Sequence, residues 1–257
     1  MEKVRYDEML PHEIVRRRKR FAAAFIPLGG LEWHGEHLAV GNDALKAEKL
    51  CEIAAEKSGG FAFPPLWYGE PRGWGLMETN HDDDGMIKKK MGLRKTDFRP
   101  DALGAPEDQC RLYQALLLHV LKQMRSLRFR AICLVAGHYP LSRLAQEPVR
   151  SFNRTYSDSK AFAGTEVHYV PPSKRRTEAG GDHAAKWETA YLMALRPECV
   201  DMTVYLGREE ERLTGVGGGD PRETATREIG ERGVEIITQG MVKKAKELLR
   251  RAKAKSG

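Results

Sequence analysis

Two short apolar runs, each ending in polar residues, constrain the fold of this chain more than any other feature. Ala22-Ala-Ala-Phe-Ile26 leads into a glycine-rich turn that carries Glu32 and His34, and Arg130-Ala-Ile-Cys-Leu-Val-Ala136 is closely followed by His138. Uninterrupted apolar runs of this length are typical of strands buried on both faces of a parallel sheet. Functional groups of such sheets gather at the carboxyl ends of the strands. The sequence therefore predicts an α/β fold with its site at that edge.

The segments around these runs have helical periodicity, so strands and helices alternate along the chain. This alternation predicts a largely parallel sheet covered by helices on both faces. Residues 69–104 form a Gly- and Pro-rich region without a long period, and loops of this length are usually functional or disordered. The predicted helices are 10–20, 42–57, 106–127, 188–195 and 220–253, and the predicted strands are 22–28, 61–68, 130–136, 167–170 and 202–206.

Length and composition indicate one ordinary globular domain. The chain has 257 residues, 41% hydrophobic and 31% charged, and no apolar run approaches the roughly 20 residues of a membrane helix. Its first residues are polar and acidic, unlike a signal peptide. The four cysteines are scattered, with no Cys-x-x-Cys spacing, so we expect reduced thiols and a cytoplasmic protein.

The net charge of +7 lies mostly at the end of the chain, where residues 243–257 hold seven basic residues and one acidic residue. A second cluster, Arg16-Arg-Arg-Lys-Arg20, ends an amphipathic segment, where cations complement a helix C-terminus. Such runs are usually solvated helix faces, and neither cluster is interleaved with aromatic residues. We therefore expect neither a nucleic-acid partner nor a membrane.

Glu32, His34 and Asp43 place two carboxylates and an imidazole within twelve residues of each other. Oxygen and imidazole nitrogen donors suit Zn²⁺, Mn²⁺ or Fe²⁺ better than a thiolate-seeking metal. The sequence therefore predicts a divalent metal site after the first strand.

Four ordered segments resemble the motifs of the creatininase (creatinine amidohydrolase) family. Leu28-Gly-Gly-Leu-Glu-Trp-His-Gly-Glu-His-Leu-Ala-Val-Gly-Asn-Asp43 resembles its opening motif, and Ile132-Cys-Leu-Val-Ala-Gly-His-Tyr139 resembles its strand and N-G-H. Gly181-Asp-His-Ala-Ala-Lys-Trp-Glu-Thr-Ala190 resembles H-A-G-x-x-E-T-S, and Gly215-Val-Gly-Gly-Gly-Asp-Pro221 is similar to the closing segment. The resemblance covers about residues 20–245 of a single domain, 1–257, that ends in a basic helix, 220–257.

This resemblance implies a three-layer α/β/α fold, a homo-oligomer (often a hexamer), and hydrolysis of a non-peptide C–N bond in a small-molecule amide. It also implies metal ligands, a proton-transferring histidine and a glutamate that orients the site. Carried over by motif position, Glu32, Asp43 and His138 would hold one metal, His34 and Asp43 would begin a second, His183 would transfer the proton, and Glu188 would orient the site. Because aromatic residues often make the substrate contacts in such sites, Trp74 or Trp187 is a further candidate for the pocket lining.

The chain departs from the family pattern at the fifth metal ligand, because the two positions that supply it in relatives are Pro140 and Lys186. A second metal held only by His34 and Asp43 would be under-coordinated. One hypothesis is a single metal with the ammonium of Lys186 in place of the second, since in a helix over 183–190 it would lie beside His183. Carbamylated Lys186, Glu36, Asp182 or residues 82–84 are alternative replacements, so one or two metals per chain remain open.

The retained family residues and the altered positions support two different functions. The retained Glu32, His34, Asp43, His138, His183 and Glu188 favour a metal-dependent amidohydrolase, with Lys186 as an additional catalytic candidate. The altered fifth-ligand positions favour a catalytically altered or inactive protein of the same fold that acts as a binding or scaffold subunit.

Overall fold

A four-stranded parallel sheet of order β2-β1-β3-β4 forms the centre of the molecule, in a computed structural model that describes residues 3–69, 71–72 and 75–252. The strands are β1 (Ala23–Leu28), β2 (Phe61–Ala62), β3 (Ala131–Ala136) and β4 (Lys160–Thr165).

Helices of very different lengths surround the sheet. They are α1 (Pro11–Arg20), α2 (Asn42–Ser58), α3 (Met77–Asn80), α4 (Met86–Lys90), α5 (Pro100–Leu103), α6 (Pro106–Ser126), α7 (Tyr139–Leu144), α8 (Gln146–Thr155), α9 (Lys186–Leu195), α10 (Pro221–Thr224) and α11 (Arg227–Arg251). Short 3-10 helices occur at Tyr6–Glu8, Lys95–Phe98, Glu166–His168, Pro172–Lys174, Pro197–Cys199 and Met202–Tyr205.

The two faces of the sheet are covered by different helices. Alternate residues of β1 point to opposite sides, so Ala24 and Ile26 pack with α6 and α8, whereas Ala23 and Phe25 pack with α2 and α11. Trp187 and Tyr191 of α9 join the second core. The predicted three-layer α/β/α architecture with a parallel sheet is therefore confirmed.

The pairing of β1 with β3 brings two functional loops to one edge. Residues pair in register from Ala23 with Ala131 to Leu28 with Ala136, so both strands end at the same level. Gly137 then passes directly beside the first turn of α2, where a Cβ atom would lie 2.0 Å from the carbonyl oxygen of Asp43. Only glycine allows this approach, which sets the distance between the end of β3 and the start of α2.

Several predicted elements are wrong. Residues 167–170 and 202–206 are not strands; 3-10 helices occupy much of both segments, and the fourth strand is β4, at 160–165. The predicted strand 61–68 shortens to two residues, because Pro64 and Pro65 interrupt the ladder before an isolated bridge at Leu66. The predicted terminal helix 220–253 is divided into α10 and α11, where Thr226 caps the second helix by accepting a hydrogen bond from the amide of Ile229.

The remaining sequence features are placed as follows. The region 69–104 contains α3, α4, α5 and a 3-10 helix, while Trp74 lies outside the described residues. The four cysteines are unpaired, as expected. Within the described part of the chain, no helix has the length and apolar character needed to cross a bilayer.

Candidate metal centre

The loop between β1 and α2 carries the first two candidate ligands, Glu32 and His34. The amide of Glu32 donates to the carbonyl of Val40 at 3.0 Å, which closes the loop onto itself. Asp43 follows as the second residue of α2, and its side chain is 2% exposed. The predicted ligands therefore meet at the carboxyl edge of the sheet.

Glu32, Asp43 and His138 form the first group of donors. His138 Nδ1 lies 3.0 Å from Glu32 Oε2 and 3.1 Å from Asp43 Oδ2. Glu32 Oε1 accepts a hydrogen bond from the amide of Met77 at 2.7 Å, so Oε2 is the oxygen that faces His138. The three donors have the separations expected of ligands that could share one metal ion.

His34, Asp43 and Glu188 form the second group. His34 Nε2 lies 3.1 Å from Asp43 Oδ1 and 3.5 Å from Glu188 Oε2. His34 Nδ1 is 3.1 Å from the carbonyl oxygen of Glu32. Because a carbonyl can only accept, Nδ1 carries a hydrogen, which leaves Nε2, directed at Asp43 and Glu188, as the nitrogen that could bind a metal.

Glu188 occupies the place for which the sequence offered no ligand. The sequence analysis assigned it an orienting role, but its Oε2 completes a three-donor group with His34 and Asp43. Lys186 is placed elsewhere: α9 begins at Lys186, so His183 precedes the helix and the spacing argument that paired them is wrong. The Lys186 ammonium lies 4.6 Å from the ring centroid of Trp187.

Three of the other proposed replacements, Glu36, Asp82 and Asp182, are held by hydrogen bonds to neighbouring groups. Glu36 accepts hydrogen bonds from Arg208 and Lys90. Asp82 binds Lys88 and the amide of Ile87. Asp182 caps the start of α9 by accepting from the amides of Trp187 and Glu188, and burial raises the pKa of Asp182 to about 6.

The electrostatics of the two groups suit cations. Burial opposes a charged His34, but Asp43, Glu188 and Glu32 raise its pKa to about 10. For His138 burial likewise opposes the charge, and hydrogen bonds with Asp43 and Glu32 raise the pKa to about 10. His34 Nε2 and Asp43 Oδ2 are buried without a hydrogen-bond partner of good geometry. Because buried unsatisfied polar atoms are costly, a divalent cation fits these groups better than none.

His183 lies against the second group and forms a third possible donor group with Glu32 and His34. Its ring centroid is 4.3 Å from that of His34, and its Nε2 is 2.9 Å from the carbonyl oxygen of Trp33. Burial, followed by the charge of His34, lowers the pKa of His183. His183 is therefore neutral near pH 7, with the hydrogen on Nε2 and a free lone pair on Nδ1.

A cavity of about 170 Å³ opens onto both groups. Its wall includes Met77, Tyr139 and Asp182, and the exposed His81 stands at its rim. His81 belongs to none of the motifs singled out in the sequence, which drew attention in this segment only to residues 82–84. Trp187 is buried and is not among the residues that line this cavity.

Two buried residues beside the site also escaped sequence reasoning. Lys46 donates to Glu188 Oε1 at 2.5 Å and to Glu166 Oε1 at 3.3 Å, and Tyr139 donates to the same Glu166 oxygen at 2.7 Å. Lys46 could have been noticed because it lies one helical turn after Asp43 in a helix with few exposed positions. Glu166 directly follows β4. The predicted strand in this part of the chain was 167–170, so Glu166 was not expected at the carboxyl end of a strand.

Comparisons with known proteins agree with this geometry. The family model described as creatinine amidohydrolase matches residues 7–76 and 109–245. A creatinine amidohydrolase of Pseudomonas putida is 23% identical over 248 residues, covering 86% of this chain and 88% of that protein. A solved creatininase variant described as Zn-Zn type has a TM-score of 0.68 and 21% identity, with coverage of 96% of this chain and 98% of that chain. A structure described as creatininase Mn has a TM-score of 0.66 and 21% identity, with coverage of 95% of this chain and 98% of that chain. The chain belongs to the creatininase family.

Proposed function

We propose that this protein is a metal-dependent hydrolase of a non-peptide C–N bond (an amide, cyclic amide or formamide) in a small molecule. The observation that carries the proposal is the position of Asp43, with one oxygen 3.1 Å from His34 and the other 3.1 Å from His138. A carboxylate shared in this way suits two adjacent metal ions. Membership of the creatininase family supports the reaction class.

The two donor groups are suited to catalysis because each is incomplete. Glu32 and Glu188 each offer one oxygen, since Met77 and Lys46 hold the other oxygen of each. Each group therefore supplies three protein donors, the number typical of catalytic zinc sites that keep a position open for water or substrate. Closed structural sites instead supply four.

The buried charges favour two dications over one. Four carboxylates surround the site (Glu32, Asp43, Glu166 and Glu188), whereas Lys46 is the ammonium buried with them. Metal ligation requires neutral His34 and His138, and the four carboxylates with Lys46 then carry three uncompensated negative charges, which are strongly unfavourable when buried. Two divalent cations with one hydroxide would neutralise this set.

His183 is the proton carrier in this proposal. Divalent metals in the two groups would acidify water and polarise the amide carbonyl. His183 is neutral near pH 7 because burial lowers its pKa, and Nε2 is held by the carbonyl of Trp33. Its Nδ1 can accept a proton from the attacking water and return it to the leaving nitrogen.

Zn²⁺ or Mn²⁺ suits this mixed set of imidazole and carboxylate donors, and Fe²⁺ is a further candidate. The Zn-Zn and Mn creatininase structures support the same choice. The cavity of about 170 Å³ suits a small-molecule substrate. Homo-oligomeric assembly, the absence of a nucleic-acid partner and a cytoplasmic location stay predictions.

The proposal is tested with His183→Asn and a panel of cyclic amides, formamides and linear amides, with products identified by mass spectrometry. The wild-type protein loaded with Zn²⁺ or Mn²⁺ should hydrolyse at least one class. The variant should lose about 100- to 10,000-fold in kcat while its metal content stays unchanged. A wild-type protein that binds metal and cleaves no member of the panel would instead support the binding-subunit interpretation. The position of Glu188 favours the hydrolase over that interpretation, since Glu188 offers a donor of the kind whose absence motivated it.

A further inference from the structure

Lys46 is a fully buried lysine whose ammonium lies beside the candidate metal centre. Its side chain is 0% exposed and belongs to α2, three residues after Asp43. Lysine is almost never fully buried unless it is paired. Here the ammonium contacts Glu188 Oε1 at 2.5 Å and Glu166 Oε1 at 3.3 Å, and lies 5.8 Å from the ring centroid of Tyr139.

The contact with Lys46 limits what Glu188 can offer a metal. Oε1 of Glu188 is held by the ammonium, while Oε2 accepts from the amide of Ala184 at 2.8 Å and faces His34 Nε2 at 3.5 Å. Both oxygens are therefore fixed in direction. Chelation of one metal by both oxygens would require Oε1 to leave the ammonium.

The first donor group has a different arrangement at the equivalent position. The spare oxygen of Glu32 is held by a neutral donor, the amide of Met77. A positive charge therefore adjoins the carboxylate of the second group, whereas an uncharged amide adjoins that of the first. Like charges repel strongly in a buried, weakly screened site.

We propose that Lys46 is a positioning residue that keeps Glu188 to a single donor oxygen and makes the second metal site weaker and more open than the first. The inference rests on the proposed function and deepens it. The first metal, at Glu32, Asp43 and His138, binds tightly, and the second, at His34, Asp43 and Glu188, binds last and exchanges readily. Removing Lys46 frees Glu188 Oε1 and also removes the neighbouring positive charge, and both changes strengthen the second site.

The test is calorimetric titration of metal-free full-length protein with Mn²⁺, with electron paramagnetic resonance to detect coupled ion pairs. The wild-type protein should bind two Mn²⁺ with separate affinities. In Lys46→Met, the first dissociation constant should stay unchanged and the second should fall by roughly tenfold or more. Glu166→Gln is the matched control, since it disturbs the same buried network but keeps Lys46 on Glu188; its second site should be unchanged or weaker.

The outcomes separate this inference from the proposed function. Two Mn²⁺ in the wild-type protein with an unchanged or weaker second site in Lys46→Met would overturn the role of Lys46 alone. Tightening by Glu166→Gln to the same extent would also overturn it, because the effect would then come from general disruption. No Mn²⁺ binding by the folded wild-type protein would overturn both. If circular dichroism shows that Lys46→Met does not fold, Lys46→Gln, which removes the charge in a polar side chain, is titrated with the same expectation of tightening.

Discussion

At the residue scale, the division of oxygens between donors determines how many metals the site can hold. Asp43 directs one oxygen to each histidine, and Glu188 directs one oxygen to the second group. Because the groups share only Asp43, a substitution at Glu188 should affect them unequally.

We expect Glu188→Gln to lose the second metal and retain the first. Glutamine preserves the shape of the side chain but removes the charge that faces His34, so the second group keeps only two anionic or imidazole donors. Elemental analysis after equilibrium dialysis against buffered Mn²⁺ should find one metal per chain instead of two. Glu178→Gln, in an exposed pair with Lys174, is the control and should keep both. Two metals in the Glu188 variant would contradict the assignment.

Lys186→Ala tests whether the ammonium of Lys186 takes the place of the second metal. The ammonium stacks on Trp187, and Lys186 is not among the residues that line the cavity. We expect the variant to keep its metal content and most of its kcat, in contrast to His183→Asn. A loss of kcat as large as that of His183→Asn would return Lys186 to the catalytic group.

At the element scale, strong patterns predicted structure and weak ones did not. β1 and β3 were predicted because each is an uninterrupted apolar run, and α2 and α6 because their periodicity extends over several turns. β4 is Lys160-Ala-Phe-Ala-Gly-Thr165, an edge strand of mostly small residues without a strong pattern. The short apolar segment near residue 167 has strand-like composition, yet local 3-10 hydrogen bonds form there instead. Short runs are ambiguous because tertiary packing decides them.

Gly137→Ala tests the contact between β3 and α2. The added Cβ would meet the carbonyl oxygen of Asp43 at 2.0 Å, so one element must move. We expect a loss of about 1–3 kcal/mol in the free energy of unfolding, as for other overpacked sites, together with weaker metal binding. Urea denaturation measures the first effect and calorimetry the second.

Gly219→Ala is the matched control for this substitution, because its nearest neighbour would be 3.6 Å from the new Cβ, an ordinary contact. It should change stability by less than about 0.5 kcal/mol. Equal effects of the two substitutions would show that the close approach of β3 to α2 does not matter.

At the scale of the whole molecule, the site is assembled from four distant parts of the chain. The sequence indicated Glu32, His34, Asp43 and His138 because they follow predicted strands or lie in one short loop. The contact of Lys46 with Glu188 joins residues 142 positions apart, and no local pattern signals such a pair. The clustering of these four candidate ligands could thus be anticipated, whereas the position of Glu188 in the second group required the fold.

Acid sensitivity of the whole fold should depend on His37. Its nitrogens lie 2.8 Å from Thr189 Oγ1 and 2.9 Å from the hydroxyl of Tyr205. Burial is the larger cause and the charge of His34 the smaller one in lowering the pKa of His37 to about 4. The unfolded chain, with a histidine pKa of about 6.5, binds the proton first, so this contribution is present above pH 6.5 and is lost as the pH falls towards 4.

We therefore expect His37→Gln to reduce the loss of unfolding free energy between about pH 6.5 and pH 4, by up to roughly 3 kcal/mol. Glutamine can still donate and accept hydrogen bonds but does not titrate. Urea denaturation at both pH values measures the difference, with exposed His12→Gln as the control. An unaltered pH dependence in His37→Gln would show that another group controls acid unfolding.

The most direct test is metal content per chain in the wild-type protein and in Asp43→Ala, measured after equilibrium dialysis against buffered Zn²⁺ or Mn²⁺. Asp43 belongs to both donor groups, so its loss should weaken both sites at once. The account predicts two equivalents in the wild-type protein and almost none in the variant. A wild-type protein that binds no metal, or an Asp43→Ala variant that keeps both equivalents, would contradict it.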